Sequence, residues 1–187
     1  MSISIFLSHP RPANDAQRRF IVALGAYLTE RGFVPRTLGV TDYDTNAPLR
    51  AIRRVLLECN GVLAVAFRRM LVVEGQVLQG HTRHGSGADA TEMVGGAWLT
   101  SPWAHIEPAM AYELGLPVLQ VREAGVREEG LIERGVLGLA GPELDLEAET
   151  PESYLQAHEW VSVGGTWEGY VRTVFDRKGA PQRLFLA

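Results

Sequence analysis

One cysteine, Cys59, is all the chain contains. It cannot form an internal disulfide or build a multi-cysteine zinc site, so a reducing compartment is the simplest setting. Strong charge of either sign is also missing. The 18 Lys and Arg against 22 Asp and Glu leave a formal net charge of −4, with no general attraction to a nucleic-acid backbone or an anionic membrane surface. No apolar stretch approaches the length needed to cross a bilayer, and the run from Met1 to His9 is only briefly apolar and carries no basic leader. No nucleic acid, no membrane and a cytoplasmic location are therefore expected. Internal repeats are absent. What remains is the composition of a folded domain: 187 residues, 46% hydrophobic and 21% charged, enough for one substantial core but short for two.

The order of elements follows from apolar spacing. Ile3, Ile5 and Leu7 alternate with Ser4 and Phe6 ahead of Ser8-His9-Pro10, the pattern of a strand running into a polar loop. Asn14 or Asp15 can cap a helix to about Glu30, with Phe20, Leu24 and Leu28 on one face and Gly32 as its stop. Phe33 to Leu38 reads as a short edge strand, because Pro35 lacks the donor a central strand needs. After a polar loop from Gly39 to Pro48, a helix from Leu49 to about Glu58 puts Ile52, Val55 and Leu56 together. Gly61 to Phe67 is continuously apolar, as in a strand buried on both faces of a parallel sheet.

Val72 to Trp98 has little periodicity and reads as a long loop, of the kind used as a lid or mobile segment. Ser101 or Thr100 then caps a helix with Pro102 at its first position, Ile106, Met110 and Leu114 along one face, and Gly115 as its end. Leu116 to Val121 is another buried-type strand. The remainder holds a Glu- and Gly-rich segment, a short strand near Leu144, and Trp160 and Trp167 beside a final helix to Phe175. Strands alternating with helices over residues 1–121 predict right-handed crossovers and a parallel sheet covered on both faces, with ligands at the carboxyl ends of its strands.

Several side chains fall at those ends. Ser8 and His9 either contact a ligand or form a polar turn. Arg68 and Arg69 follow the apolar strand and either present forked donors to a diphosphate or point into solvent. His81 and His84 have the spacing His-x-x-His but no nearby third ligand, so no metal site is expected. Trp103 and Glu107 lie four apart on one helix face, where ring and acid share a pocket unless Trp103 packs inward and Glu107 complements the helix dipole. Trp160 and Trp167 suit burial as anchors of the C-terminal segment, and Cys59 suits a small buried side chain rather than a nucleophile.

Three of these segments, taken in order, resemble the bacterial Toll/interleukin-receptor (TIR) domain family. Ile3-Ser-Ile-Phe-Leu-Ser-His9 is similar to its first strand, and the Gly39 to Pro48 loop, Leu56-Leu-Glu-Cys59 and the following apolar strand are similar to its variable loop and third strand. Ser101-Pro-Trp-Ala-His-Ile-Glu107 resembles the Ser-x-Trp-x-x-x-Glu signature whose glutamate is catalytic in members that cleave NAD. The resemblance implies a flavodoxin-like parallel sheet with helices on both faces over residues 1–121, a long insertion at about 71–99, and a C-terminal extension over 122–187 packed on the same domain. It implies Glu107 as catalytic residue, with Ser8, His9, Trp103, Arg68, Arg69, Asp42 and Tyr43 near the substrate or gating it. The resemblance further implies NAD as substrate rather than cofactor, giving nicotinamide and ADP-ribose or its cyclic form, a place in antiphage signalling, and self-association through TIR surfaces.

The chain departs from the family at Ala104, where a cysteine is common, in the length of the 72–98 segment and in its C-terminal third. Two other functions stay open. Glu107-Pro-Ala-Met-Ala-Tyr-Glu-Leu-Gly-Leu-Pro117 also resembles the glutamate run of nucleoside deoxyribosyltransferases and nucleotide N-glycosidases, although the acids that family places before it are absent between Trp98 and Ile106. The third reading is a module that senses a nucleotide or assembles without turnover.

Overall fold

The computed structural model describes residues 2–45, 47–78 and 91–178. Strand β1 (Ile3–Ser8) leads into helix α1 (Asp15–Glu30), whose N-terminus is capped by the Asn14 side chain accepting from the Gln17 N–H at 2.9 Å. The helix buries Phe20, Leu24 and Leu28, and Gly32, at φ 83°, takes the left-handed turn that ends it. Strand β2 (Phe33–Arg36) follows, then helix α2 (Pro48–Leu57), with Pro48 in its first turn where a missing N–H costs nothing. Strand β3 (Val62–Ala66) is buried throughout.

From here the structure differs from the expected loop. Strands β4 (Met70–Val72), β5 (Gly75–Leu78), β6 (Thr91–Val94) and β7 (Ala97–Leu99) pair antiparallel, β4 with β7 and β5 with β6, as two successive ladders of one projecting arm. Met70, Leu71, Val73 and Met93 are exposed along it. Strands of three and four residues that leave these side chains in solvent are too short to display an alternating apolar pattern, which is why the sequence reads as irregular. His81 and His84 lie outside the described residues.

Helix α3 (Trp103–Glu113) begins one residue later than expected, with the Ser101 hydroxyl accepting from the Trp103 N–H at 3.3 Å. Its buried line is Ala104, Pro108 and Ala111, not Ile106, Met110 and Leu114, which are less buried. Small residues face the sheet because the helix rides close over Ala64 and Ala66 of β3: Ala104 packs with Ala66 and Ile132, and Ala111 joins the cluster that holds Ala64. Strand β8 (Val118–Arg122) and the two-residue strand β9 (Leu139–Ala140) complete the set, followed by helices α4 (Pro151–Gln156) and α5 (His158–Lys178).

The central sheet is five-stranded and parallel in the order β2-β1-β3-β8-β9. With the arm set aside, this is the flavodoxin-like order, so the α/β fold expected from the sequence is the one observed. Edge strand β2 accommodates Pro35, and β3 lies at the centre, as its burial on both faces requires. One face packs on α2 and α3. The other packs on α1, α4 and α5, with Trp160 and Trp167 each 1% exposed. Phe20 meets Tyr154 at 5.5 Å between ring centroids, Tyr154 meets Trp160 at 5.4 Å, and the Trp167 indole donates to the Pro117 carbonyl at 3.2 Å. These tryptophans are the anchors their composition suggested, each with its apolar body in the core. Helix α5 approaches β3 so closely that a Cβ on Gly61 would stand 2.5 Å from Val171 Cγ2, so only glycine fits. The expected strand near Leu144 is a single bridge to Glu123, and the fifth strand lies at β9 instead.

Candidate active site

Ser8 is the last residue of β1 and stands beside Ala64 of β3 in the sheet register, on the face covered by α3. It is 2% exposed. Because α3 packs down on small residues, its fifth residue, Glu107, reaches the carboxyl edge of the sheet, where the Ser8 hydroxyl donates to Glu107 Oε2. Burial pushes the Glu107 carboxyl up to about 7, and the Ser8 donation partly offsets this by favouring the ionised form. At neutral pH the acid is therefore divided between its two states, a condition suited to chemistry rather than to stability.

His9 follows at once. Its Nδ1 lies 2.9 Å from the Pro10 carbonyl, which can only accept, so Nδ1 carries the proton and Nε2 of the neutral ring is left as an acceptor. Burial lowers the His9 pKa, opposed by the Pro10 bond, and keeps the ring neutral at physiological pH. Ser8, His9 and Glu107 thus provide a hydroxyl, an imidazole acceptor and a carboxyl at the ligand-binding edge of the fold. Trp103 stands one helical turn before Glu107 and, at 39% exposed, is not among the buried core residues.

The other candidates are placed differently. Arg68 is occupied by the protein: its backbone N–H donates to Glu123 at 2.7 Å, its Nε to the Ala124 carbonyl at 2.5 Å and its Nη1 to Glu147 at 2.5 Å. A diphosphate would have to displace those acceptors. Arg69 sits at the base of the arm, exposed, with its backbone N–H on the Leu99 carbonyl at 2.9 Å. Asp42 accepts from both Nε and Nη2 of Arg36, whose Nη2 also donates to Glu58 at 2.7 Å; Arg54 links Glu58 to Asp44 at 3.4 and 2.9 Å. This buried network pins the loop after β2, with Tyr43 exposed at its surface. Burial would raise the Asp42 carboxyl, but the donors Arg36 and Thr41 and the charges of Arg36 and Arg54 more than offset it and hold it low. Cys59 lies nearby, buried, its thiol pushed up to about 12 mainly by burial, and so is inert as a nucleophile.

Two residues at this edge escaped the sequence reading. Gln17, in the first turn of α1, and Glu123, just past β8, are 1% and 4% exposed and hydrogen-bonded at 2.8 Å. The signal was the Asn14-x-x-Gln17 spacing at a helix start, a capping-box pattern whose side chain here reaches the Ala13 N–H. Their bond to each other joins residues 106 apart and has no local signature.

Among the described residues, no three His, Cys, Asp or Glu side chains converge as a metal site, and no helix is long and apolar enough to cross a membrane. A cleft of about 540 Å³ between α1 and α4, floored by Ala16, Ala23, Ala26 and Leu146, lies on the opposite face of the sheet from Glu107.

No protein-family model matches the chain, and no curated protein does. Solved structures with a similar course include the CMP N-glycosidase BcmB of Clostridium botulinum, 16% identical with a TM-score of 0.48, the match covering 82% of this chain and 94% of that one. Another is the TIR domains of the activated Roq1 resistosome that recognises the pathogen effector XopQ, 14% identical with a TM-score of 0.42, covering 95% of this chain and 86% of that one.

Proposed function

We propose that this protein cleaves the N-glycosidic bond of a nucleotide, that Glu107 is its catalytic carboxyl, and that NAD is the substrate. The observation that carries the proposal is the Ser8–Glu107 pair: a buried acid held by a hydroxyl, at the sheet edge where this fold receives ligands, with an ionisation near neutrality. In NAD the bond between ribose C1′ and the pyridinium nitrogen breaks with its electron pair moving to nitrogen, so nicotinamide leaves neutral and unprotonated. The ribosyl group becomes an oxocarbenium ion, which ionised Glu107 stabilises in a site of low dielectric. Water then adds at C1′ and gives up a proton, yielding ADP-ribose. Capture of C1′ by the substrate's own adenine gives the cyclic product. His9 Nε2 is an acceptor for a ribose hydroxyl.

The same acid supports a second reading, because a carboxyl that holds its proton to about pH 7 can protonate a departing nucleobase. The two readings need opposite states of Glu107. NAD cleavage, as kcat/KM, rises with pH through about 7; cleavage of a nucleotide such as CMP by a general acid falls through the same range. The test is to incubate wild type and Glu107→Gln with NAD, NADP, CMP and deoxynucleosides at high protein concentration and identify products by chromatography and mass. Nicotinamide release lowered at least about 100-fold in Glu107→Gln is expected, the size seen when a transition-state stabiliser is removed. Equal turnover by both proteins rejects the role of Glu107. Thermal stabilisation by a nucleotide with no product would instead favour a binding module.

A further inference from the structure

The loop from His9 to Asn14 follows Ser8 directly and carries the imidazole held on the Pro10 carbonyl, and its far end is held by a bracket of buried polar groups. Glu123 Oε2 accepts from Gln17 Nε2 at 2.8 Å and from the Arg68 backbone N–H at 2.7 Å; Gln17 Nε2 also faces the Arg68 carbonyl at 3.4 Å. Acceptors on that side fix the orientation of the Gln17 amide, since a flip would set its oxygen against a carboxylate and a carbonyl. The amide oxygen is thereby turned to the Ala13 N–H, which donates to it at 2.7 Å. One side chain thus ties the end of the loop to the carboxyl ends of β3 and β8.

Between His9 and Ala13 stand Pro10, Arg11 and Pro12. Two of these three have φ fixed by their rings, so the segment is stiff, and a displacement at Ala13 is passed along rather than absorbed. We propose that Gln17 and Glu123 are positioning residues that keep the His9 ring in its buried seat just after Ser8 by clamping this proline-stiffened loop at Ala13. The catalytic consequence rests on the glycosidase reading; the clamp does not.

Because a single oxygen of Glu123 accepts both bonds, Glu123→Gln can keep the clamp through its amide oxygen, whereas Gln17→Leu removes it. The activity-independent readout is NMR titration of the His9 ring, its resonance identified by loss in His9→Asn. In wild type and Glu123→Gln the ring titrates below the ordinary 6.5, as its burial requires. In Gln17→Leu the midpoint moves up toward that value as the ring loosens into solvent. In kinetics, Gln17→Leu raises KM about tenfold with kcat changed less than about threefold, the pattern of lost uniform binding, whereas Glu123→Gln, which keeps the clamp, stays within about threefold of wild type in both. Should Gln17→Leu not fold, Gln17→Asn, one methylene too short to span both partners, takes its place with the same readouts. A folded clamp variant with an unmoved His9 titration overturns the proposal. A wild type without turnover overturns the glycosidase reading alone and leaves the titration to decide the clamp.

Discussion

Two groups of buried acids in this molecule are treated in opposite ways. Behind β2, Asp42, Asp44 and Glu58 are matched by Arg36 and Arg54, and Asp42 is held well ionised. At the carboxyl edge of β1, Glu107 is bonded by the Ser8 hydroxyl, and burial dominates its ionisation. The first arrangement fixes a loop. The second carries a cost, because an acid withdrawn from water without a cation is strained whenever it ionises. A fold able to supply guanidinium groups to one set of acids supplies, among the described residues, a hydroxyl to the other. That contrast, more than any resemblance, is what supports the proposed role of Glu107.

The contrast breaks most visibly at Arg36. Arg36→Met leaves Asp42 and Glu58 buried without their shared cation, and a loss of about 3–5 kcal/mol in urea unfolding at pH 7 is expected. A loss under 1 kcal/mol would mean that water already serves those acids. Glu107→Gln should do the reverse and stabilise. In the folded protein the carboxyl holds its proton to about 7, against 4.5 for a free glutamate. Ionised Glu107 therefore costs stability above about 7, and the cost fades as pH falls and is gone below 4.5. Unfolding measured from pH 4 to 9 should show the variant gaining on wild type by up to about 1–3 kcal/mol at the alkaline end, with the gain vanishing toward the acid end. A gap of constant size across that range would show that the acid is solvated.

The smallest effect belongs to Ser8→Ala. The hydroxyl favours ionised Glu107, so its loss raises the Glu107 pKa further and moves the acid limb of NAD turnover to higher pH, by up to about one pH unit. A pH–rate profile of the variant measures the shift directly. An acid limb moved to lower pH would reverse the assigned direction of that hydrogen bond.

Much of the scaffold could be read from residue order. β1, α1 and β3 announce themselves because each buries a face, or both faces, in one continuous core, and an alternating or unbroken apolar run records that burial. Glu107 was legible for a different reason: the resemblance of Ser101-Pro-Trp-Ala-His-Ile-Glu107 to a family signature implied its role, and its place in the first turns of a helix after a polar loop agrees with the ligand edge of a parallel α/β sheet. The buried line of α3 was misjudged because close packing selects Ala104, Pro108 and Ala111 by size, while periodicity ranks residues by apolarity and favours Ile106, Met110 and Leu114. β9 has two residues, too few to show a period. Arg36 pairs with Asp42 six residues on and with Glu58 22 residues on, and Gln17 with Glu123 106 residues on; none of these spacings belongs to a helix or strand period, so only the fold reveals that these polar groups have partners.

The arm between β3 and α3 has a consequence for how such a scaffold can be varied. Both of its stems leave and rejoin the domain at one closed rung, Met70 opposite Leu99, with the Arg69 N–H on the Leu99 carbonyl at 2.9 Å. Beyond that rung the arm is still tied to the segment after β8, by the Trp98 backbone on Gly125 and Arg127 and by Arg127 on Glu92 at 3.1 Å. Changes of length or chemistry are therefore tolerated only past Glu92, while α3 stays anchored on its bed of alanines.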